Sequence, residues 1–411
     1  MLQCSIHRWC ENSGPSVISL TRYVALLTPR ELRETFAASL IGRLPIGITG
    51  LAILILVQMT SGSFAQGGAA TACYVAGLAI VAPLLGRCID RYGPRWTLLA
   101  CAVVFPAALI ALVAAVTKSA PAWLSLGLAV TAGASFPPIT VCMRAYLKQR
   151  LGDDALLAAA YSLEAVLIEM IFIVGPMLVA LFVAAASPDL AVLFAAACAA
   201  AGTLLFLRSP ALHSWRIEPR SSARLLGPLV ERGFAPLVGV ILCFSIAFGL
   251  LEIGITAYAT ELGDPALAGV LLGLMSAGSA LGGLAYGSRS WHLPLVRQFS
   301  VTLALMGLGL ATLALRWEPW PFALWSVAAG IVMAPALTIQ SMLVAKTTRP
   351  EHSTEAFTWS ASALLAGVGV GLAAGGWLLE YFRSPAALAI AGATALLAAA
   401  GARFALRPSS D

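Results

Sequence analysis

The feature that most constrains this chain is a series of twelve apolar segments, each long enough to cross a lipid bilayer as a helix. A spanning helix needs about 20 predominantly apolar residues, and inside a bilayer only helices and closed barrels satisfy every backbone hydrogen bond. The predicted spans lie near residues 36–59, 67–85, 96–116, 121–143, 156–184, 188–207, 234–258, 266–287, 297–315, 320–344, 354–379 and 385–404. The sequence therefore predicts an all-α membrane protein with twelve transmembrane helices.

The composition agrees with a membrane protein and argues against several other classes. Only 11% of the 411 residues are charged and 60% are hydrophobic, whereas soluble domains carry about 25% charged residues. The net charge of +6 comes from basic residues in loops, without the basic stripe of a nucleic-acid site, so we predict no nucleic-acid partner. Because the sequence contains no nucleotide-binding, catalytic or metal-ligand motif, we predict no enzymatic activity, no metal site and no cofactor.

The distribution of Lys and Arg predicts the side of the membrane on which each loop lies. If both termini are cytoplasmic, all but four of the 25 Lys and Arg residues lie on that side. The exceptions are Lys118, Arg316 and Arg383 in outer loops and Arg43 in the first span. Cytoplasmic loops are enriched in basic residues, so we expect a multi-pass protein of the plasma membrane with both termini in the cytoplasm.

The two halves of the chain repeat one pattern of small residues. The recurring groups are Gly68, Gly77 and Gly86 with Gly269, Gly278 and Gly287; Gly133 and Pro138 with Gly330 and Pro335; and Ala160-Tyr161-Ser162 with Ala356-Phe357-Thr358. Repeats of six helices are an established transporter architecture. We therefore predict two pseudo-symmetric six-helix bundles, residues 35–207 and 234–404. A cytoplasmic tail (1–34), a cytoplasmic linker loop (208–233) and a C-terminal tail (405–411) complete the chain.

A short charged turn, Gly86-Arg87-Cys88-Ile89-Asp90-Arg91-Tyr92-Gly93-Pro94-Arg95, separates the second and third predicted spans. The pattern Gly-x-x-x-Asp-Arg-x-Gly-x-Arg resembles the cytoplasmic loop signature between helices 2 and 3 of the major facilitator superfamily. The resemblance implies the fold of that family and a gating role for Gly86, Asp90, Arg91, Gly93 and Arg95. In that family the Asp and Arg hold the halves together at the start of span 11, which here is Ser353-Thr354-Glu355. The match departs at Pro94, where the family usually has a basic residue.

Four ionisable residues lie within the predicted spans, where a charge costs at least ~2.5–3.5 kcal/mol. Arg43 in the first span and Glu164 in the fifth lie at similar depth, so they are candidates either for an ion pair or for substrate and proton binding. Glu169 and Glu252 are carboxyl groups deep in the fifth and seventh spans. An isolated carboxyl group there favours its neutral form, so both are candidates for proton coupling or substrate binding.

Further polar and aromatic residues are candidates to line a central cavity: Gln58, Thr140, Ser245, Phe248, Thr256 and Gln340. The leading hypothesis is transport of a small molecule by alternating access. Because the walls are apolar and the embedded charges mainly acidic, we favour proton-coupled export of a hydrophobic or cationic compound, with the proton gradient as energy source. The expected partners are that substrate and the lipid bilayer, and the expected state is a monomer. A proton symporter or facilitator for a metabolite, a non-transporting receptor or scaffold, and a lipid-modifying enzyme are the alternatives.

Overall fold

A computed structural model describes residues 21–185, 187–209, 212, 215, 217, 227–231, 233–264, 267–315 and 318–406. These residues form helices and no strand, and twelve helical segments are long and apolar enough to cross a membrane. Spans 1 to 12 are Arg30–Ser61, Gln66–Tyr92, Pro94–Thr117, Ala122–Arg150, Asp154–Ala184, Pro188–Arg208, Phe234–Glu261, Leu267–Gly287, Leu295–Leu313, Pro319–Thr347, Pro350–Tyr381 and Ser384–Ala405. The predicted all-α fold with twelve spans is confirmed.

Several predicted segments lie partly outside the described residues. Of the predicted N-terminal tail, the structure describes helix Thr21–Leu27 and the first turn of span 1, which begins at Arg30. Of the predicted linker loop, it describes a short 3-10 helix, Gly227–Val230, and a few single residues. We call the end of the bundle at which span 6 ends and span 7 begins the linker end, and the opposite end the far end.

Three spans are each divided into two helices near a proline. They are span 1 (Arg30–Arg43 and Pro45–Ser61), span 4 (Ala122–Ala134 and Ile139–Arg150) and span 10 (Pro319–Gly330 and Met333–Thr347). Proline has no N–H to donate and clashes with the preceding turn, so the ladder of helical hydrogen bonds is interrupted there. In span 10 a side chain compensates, because the Ser279 hydroxyl accepts a hydrogen bond from Ala334 N at 3.0 Å.

The two halves pack equivalent helices in the same way. A Cβ on Gly133 of span 4 would lie 1.9 Å from the carbonyl oxygen of Tyr74 in span 2. At the corresponding crossing of spans 10 and 8, a Cβ on Gly330 would lie 2.2 Å from the carbonyl oxygen of Met275. Small residues allow this close approach, on which helix association in lipid depends. The glycine repeat in the sequence thus corresponds to equivalent crossings in two six-helix halves.

The two halves meet along spans 2 and 11 and along spans 5 and 8. Gly86 of span 2 lies against Thr358 of span 11, and Gly287 of span 8 lies against Ser162 of span 5. Near these contacts the rings of Tyr161 and Phe357, which are equivalent in the repeat, lie 6.0 Å apart between centroids. Because equivalent residues can only meet at a symmetry axis, this pair marks the pseudo-two-fold axis between the halves.

Candidate functional site

Asp90 joins the two halves at the linker end. Its Oδ1 accepts a hydrogen bond from Thr354 N at 2.9 Å, and its Oδ2 accepts one from Glu355 N at 2.7 Å. The first N–H groups of a helix have no partner within that helix, and its dipole favours an anion at this end. Asp90 at the end of span 2 therefore caps span 11 from the other half of the protein.

The guanidinium of the turn that contacts the first turn of span 11 belongs to Arg87, not to Arg91. Arg87 donates to Glu355 Oε1 from Nη2 at 2.6 Å and from Nε at 3.1 Å. Arg91 is exposed and lies over the Tyr92 ring, 5.1 Å from its centroid, and Arg95 is exposed as well. The sequence reasoning missed Arg87, although a residue three positions before Asp90 shares its helix face.

The two glycines of the turn have separate structural reasons. A Cβ on Gly86 would lie 2.4 Å from Thr358 Oγ1 and 2.9 Å from Glu355 Cα, so glycine is needed for span 11 to approach. Gly93 has a φ of +81°, a conformation that side chains disfavour. The following Pro94 takes the first position of span 3, where its missing N–H costs nothing. The turn is thus built to bring Asp90 and Arg87 onto span 11.

Two lysine contacts extend this closure from span 4 and span 5 to span 10. Lys148 Nζ donates to the carbonyl oxygen of Thr348 at 2.9 Å. Lys346 Nζ lies 2.5 Å from Asp154 Oδ2, with both side chains exposed. An exposed ion pair contributes about 0–1 kcal/mol. We therefore assign most of the polar closure at this end to Asp90, Arg87 and Lys148.

Helix Thr21–Leu27 adds a contact where spans 5 and 8 meet. The buried Tyr23 hydroxyl donates to the carbonyl oxygen of Leu284 at 2.9 Å, and Ser162 Oγ donates to the carbonyl oxygen of Gly283 beside it. Burial raises the pKa of Tyr23, so the hydroxyl keeps the proton that it donates. The hydrogen bonds of Tyr23 and Ser162 to span 8 thus add to the contacts that join the halves in the linker-end part of the bundle.

Arg43 and Glu164 form a bidentate ion pair, joined by two hydrogen bonds, inside the first half. Arg43 Nη1 donates to Glu164 Oε1 at 2.9 Å, and Nη2 donates to Oε2 at 2.5 Å. The two side chains are 1% and 0% exposed. Arg43 is the last residue of the first helix of span 1, just before the break at Pro45. The similar depths seen in the sequence therefore correspond to a direct contact.

Glu169 lies between the two halves. Ser279 Oγ of span 8 donates to Glu169 Oε1 of span 5 at 2.8 Å, while the same Ser279 oxygen accepts from Ala334 N of span 10. Glu169 is half-buried. The protonation state of Glu169 therefore affects its hydrogen bond with Ser279, and this hydrogen bond must change if the halves move.

Glu252 lies on an open face of span 7. Gly249 and Gly254 pack that helix against spans 11 and 12, whereas Glu252 and Thr256 are exposed. A carboxylate in a span is costly to expose to lipid, so this face is a candidate to line a water-filled cavity. On the same helix Ser245 is buried and donates to its own backbone at the Ile241 oxygen.

The remaining candidates lie at different depths and do not form one cluster. Gln58 is half-buried near the far end of span 1, about 22 Å from Arg43 at 1.5 Å per residue. Thr140 is half-buried in the second helix of span 4, and the half-buried Phe248 packs edge-on against Phe244. Gln340 is buried and its Nε2 donates to Ser360 Oγ at 2.6 Å.

Arg144 is an interior charge that the sequence reasoning missed. The fourth span was predicted to end at residue 143, but its helix continues to Arg150. Arg144 is half-buried, and its Nε is buried without a hydrogen-bond partner. The sequence signal that could have placed Arg144 in the interior was the run of apolar residues that follows it, because this run keeps the helix inside the bundle for another turn.

Comparisons with known proteins agree on the fold. The family model described as Major Facilitator Superfamily matches residues 35–290 and 237–411. The human organic anion transporter TETRAN is 18% identical, with a TM-score of 0.69, over 91% of this chain and 100% of its own. A bacterial homologue of the iron transporter ferroportin, in an outward-facing state, is 11% identical, with a TM-score of 0.73, over 90% and 98%.

A third solved structure, the fucose:proton symporter of E. coli, is 14% identical, with a TM-score of 0.70, over 90% of this chain and 98% of its own. A sequence search of curated proteins finds no match. At these identities the similarity to solved structures shows the fold alone.

Proposed function

Because the chain belongs to the Major Facilitator Superfamily, and is thus a transporter rather than an enzyme, we propose that it exports a small molecule in exchange for protons by alternating access. The observation that carries the mechanism is the closure of two related six-helix halves at one end by Asp90 on the first turn of span 11. Such a contact can be broken and remade as the halves rock about a central site.

The proposal assigns the linker end to the cytoplasm of a plasma-membrane protein. The excess of Lys and Arg in the loops of that end supports this orientation. In the arrangement described above, the cytoplasmic side is closed by Asp90, Arg87 and Lys148. Substrate would leave to the outside from this state and enter from the cytoplasm after these contacts open.

Glu169 is the residue that we assign to proton coupling. When ionised it accepts the Ser279 hydroxyl across the boundary between the halves. When protonated, one of its oxygens becomes a donor, and the Ser279 hydroxyl already accepts from Ala334 N. The two protonation states therefore stabilise the boundary to different extents, and a ligand or proton shifts an equilibrium only through such a difference.

Glu252 supports the substrate class first favoured by the sequence. Its exposed carboxylate would attract a cation entering the cavity, so a hydrophobic cation is one substrate that this face can accept. In a symporter for a metabolite, the same carboxyl groups would couple protons and substrate that move in the same direction, whereas in proton-coupled export the two move in opposite directions. The direction of coupled flux therefore distinguishes export from symport.

Flux in liposomes tests the transport proposal. Purified protein is reconstituted, a pH gradient is imposed, and movement of ethidium (a cation) and carboxyfluorescein (an anion) is followed together with lumenal pH. We expect a probe to move against the proton flow, and Glu169→Gln to remove the response to the gradient while leaving probe exchange at equal pH.

Glu380→Gln serves as the matched control, because Glu380 is exposed at the far end of span 11. If neither probe moves and no proton flux follows, the transport proposal fails for both charge classes. If Glu169→Gln responds to the gradient as the unmodified protein does, the assignment of coupling to Glu169 is wrong. Probe and protons moving in the same direction would indicate symport.

A further inference from the structure

Arg144 is a guanidinium inside the bundle without an anionic partner among the described residues. It lies six residues from the end of span 4 at Arg150, in a helix stretch whose neighbours Met143, Ala145 and Tyr146 are buried. No described side chain accepts a hydrogen bond from it, and its buried Nε has no partner. Buried polar atoms are normally hydrogen-bonded, so the unpartnered Nε of this half-buried guanidinium requires an explanation.

The nearby carboxylate is already occupied. Glu164 attracts the Arg144 guanidinium and Arg43 repels it, but both oxygens of Glu164 accept hydrogen bonds from Arg43. Glu164 thus compensates the charge of Arg43, and no described carboxylate is hydrogen-bonded to Arg144. An anion is the partner that this cluster lacks.

The second half shows that the fold does not need this charge. Ser360 occupies the position equivalent to Glu164, in the register set by Tyr161 and Phe357. It accepts a hydrogen bond from Gln340 of span 10, and the interiors of spans 7 and 10 contain no basic residue. A neutral hydrogen-bonded pair therefore occupies the corresponding place in the second half. The fold itself thus does not require the charge of Arg144.

Arg144 also lies where a central site is expected. The second helix of span 4 packs against spans 1, 5, 10 and 11, from both halves. Tyr161, which marks the pseudo-two-fold axis, donates from its hydroxyl to the Arg144 carbonyl oxygen at 3.0 Å. The closing contact of Lys148 with Thr348 lies one turn nearer the linker end. Arg144 is therefore beside the axis and just inside the closed end.

We propose that Arg144 binds an anionic group of the transported molecule, a carboxylate or a phosphate, next to the Arg43–Glu164 pair. The planar guanidinium offers parallel N–H donors that match either group. This inference rests on the proposed transport function and assigns its substrate an anionic group, in place of the hydrophobic cation that Glu252 alone would favour. Because Arg43 and Glu164 compensate each other, the three groups together carry the single positive charge of Arg144. The site therefore attracts an anion.

Anion-dependent stabilisation of the purified protein tests the site without knowledge of the substrate. Thermal unfolding is followed by tryptophan fluorescence in sodium benzoate or sodium phosphate, with sodium chloride at the same ionic strength as reference. A ligand that binds only the folded state raises Tm with its concentration. We expect a saturable rise with benzoate or phosphate, and at least a tenfold weaker apparent affinity in Arg144→Gln.

Arg297→Gln is the matched control, because Arg297 is exposed near the linker end of span 9; we expect it to respond as the unmodified protein does. Without anion, Arg144→Gln should unfold at the same or a higher temperature, since an unpaired interior charge is removed. If that variant does not fold, Arg144→Lys carries the test, and a several-fold weaker affinity supports the proposal. No stabilisation by either anion, or equal affinity after the substitution, overturns it.

The flux assay separates failure of this site from failure of transport. Anion binding that depends on Arg144, without flux of either dye, supports the site and contradicts the transport proposal. Ethidium flux that is equal in Arg144→Gln, without anion binding, supports transport and overturns the anion site. Carboxyfluorescein flux that is lost in Arg144→Gln and retained in Arg297→Gln supports both.

Discussion

Replacing Glu164 should destabilise the protein more than replacing its partner Arg43. Glu164→Gln leaves the guanidinium groups of Arg43 and Arg144 inside the bundle without a carboxylate. Removing one partner of a buried ion pair costs about 3–5 kcal/mol, and the 1% and 0% exposure of this pair puts it in that class. Arg43→Gln instead leaves Glu164 within the electrostatic reach of the Arg144 guanidinium, so we expect a smaller loss of about 1.5–3 kcal/mol, the size of a hydrogen bond to a charged group.

Thermal unfolding of the single and double variants in one detergent measures this difference. The double variant Arg43→Gln/Glu164→Gln should be more stable than Glu164→Gln alone, because one of the two uncompensated charges is gone. Such non-additivity is the signature of a direct interaction. Glu380→Gln, an exposed carboxylate, should remain within about 0.5 kcal/mol of the unmodified protein. A Glu164→Gln variant as stable as Arg43→Gln would refute the charge balance argued for this cluster.

Two further substitutions test the packing and the closure of the linker end. Gly133→Ala, whose Cβ would lie 1.9 Å from the Tyr74 oxygen, should greatly reduce the monodisperse yield in size-exclusion chromatography, whereas Gly68→Ala, with nothing within 4 Å, should not. Equal yields would contradict the helix crossing. Tyr23→Phe removes the donor to Leu284 O and should weaken the docking of helix Thr21–Leu27 by about 1 kcal/mol. Hydrogen–deuterium exchange of that helix should then be faster, and unchanged exchange would show that the hydroxyl does not hold it.

The spans were predictable from sequence because each needs about 20 apolar residues, but their ends were not. Apolarity marks the part of a helix that lies in hydrocarbon, while the helix itself continues as long as its backbone hydrogen bonds do. Span 4 was therefore predicted to end at residue 143, and the helix ends at Arg150. That difference concealed Arg144, which was counted among the loop residues.

The partners of interior charges were only partly predictable. The pairing of Arg43 with Glu164 was one of two interpretations of their similar depth. The contact of Asp90 with the start of span 11 came from the family resemblance, and the rule that helix N-termini attract carboxylates is consistent with it. Which guanidinium of the turn contacts span 11 depends on the rotation of the helix end, and the motif does not specify it. In the structure it is Arg87, which binds Glu355. The contact of Glu169 with Ser279 arises between halves, where sequence separation carries no information.

The central claim, that the two halves rock about a contact made by Asp90, is tested most directly by measuring both ends of the bundle in one protein. Spin labels at Trp96 and His292 report the linker end, and labels at Ser61 and Leu262 report the far end. All four positions are exposed and each pair spans the two halves. The eight native cysteines are first replaced by serine.

Asp90→Asn weakens charge-assisted hydrogen bonds worth about 1.5–3 kcal/mol each, which changes a population ratio about 10- to 150-fold. Pulsed electron–electron double resonance should therefore show a longer Trp96–His292 distance and a shorter Ser61–Leu262 distance than in the protein with Asp90. An unchanged linker-end distance, or two distances that change in the same direction, would contradict alternating access about this contact.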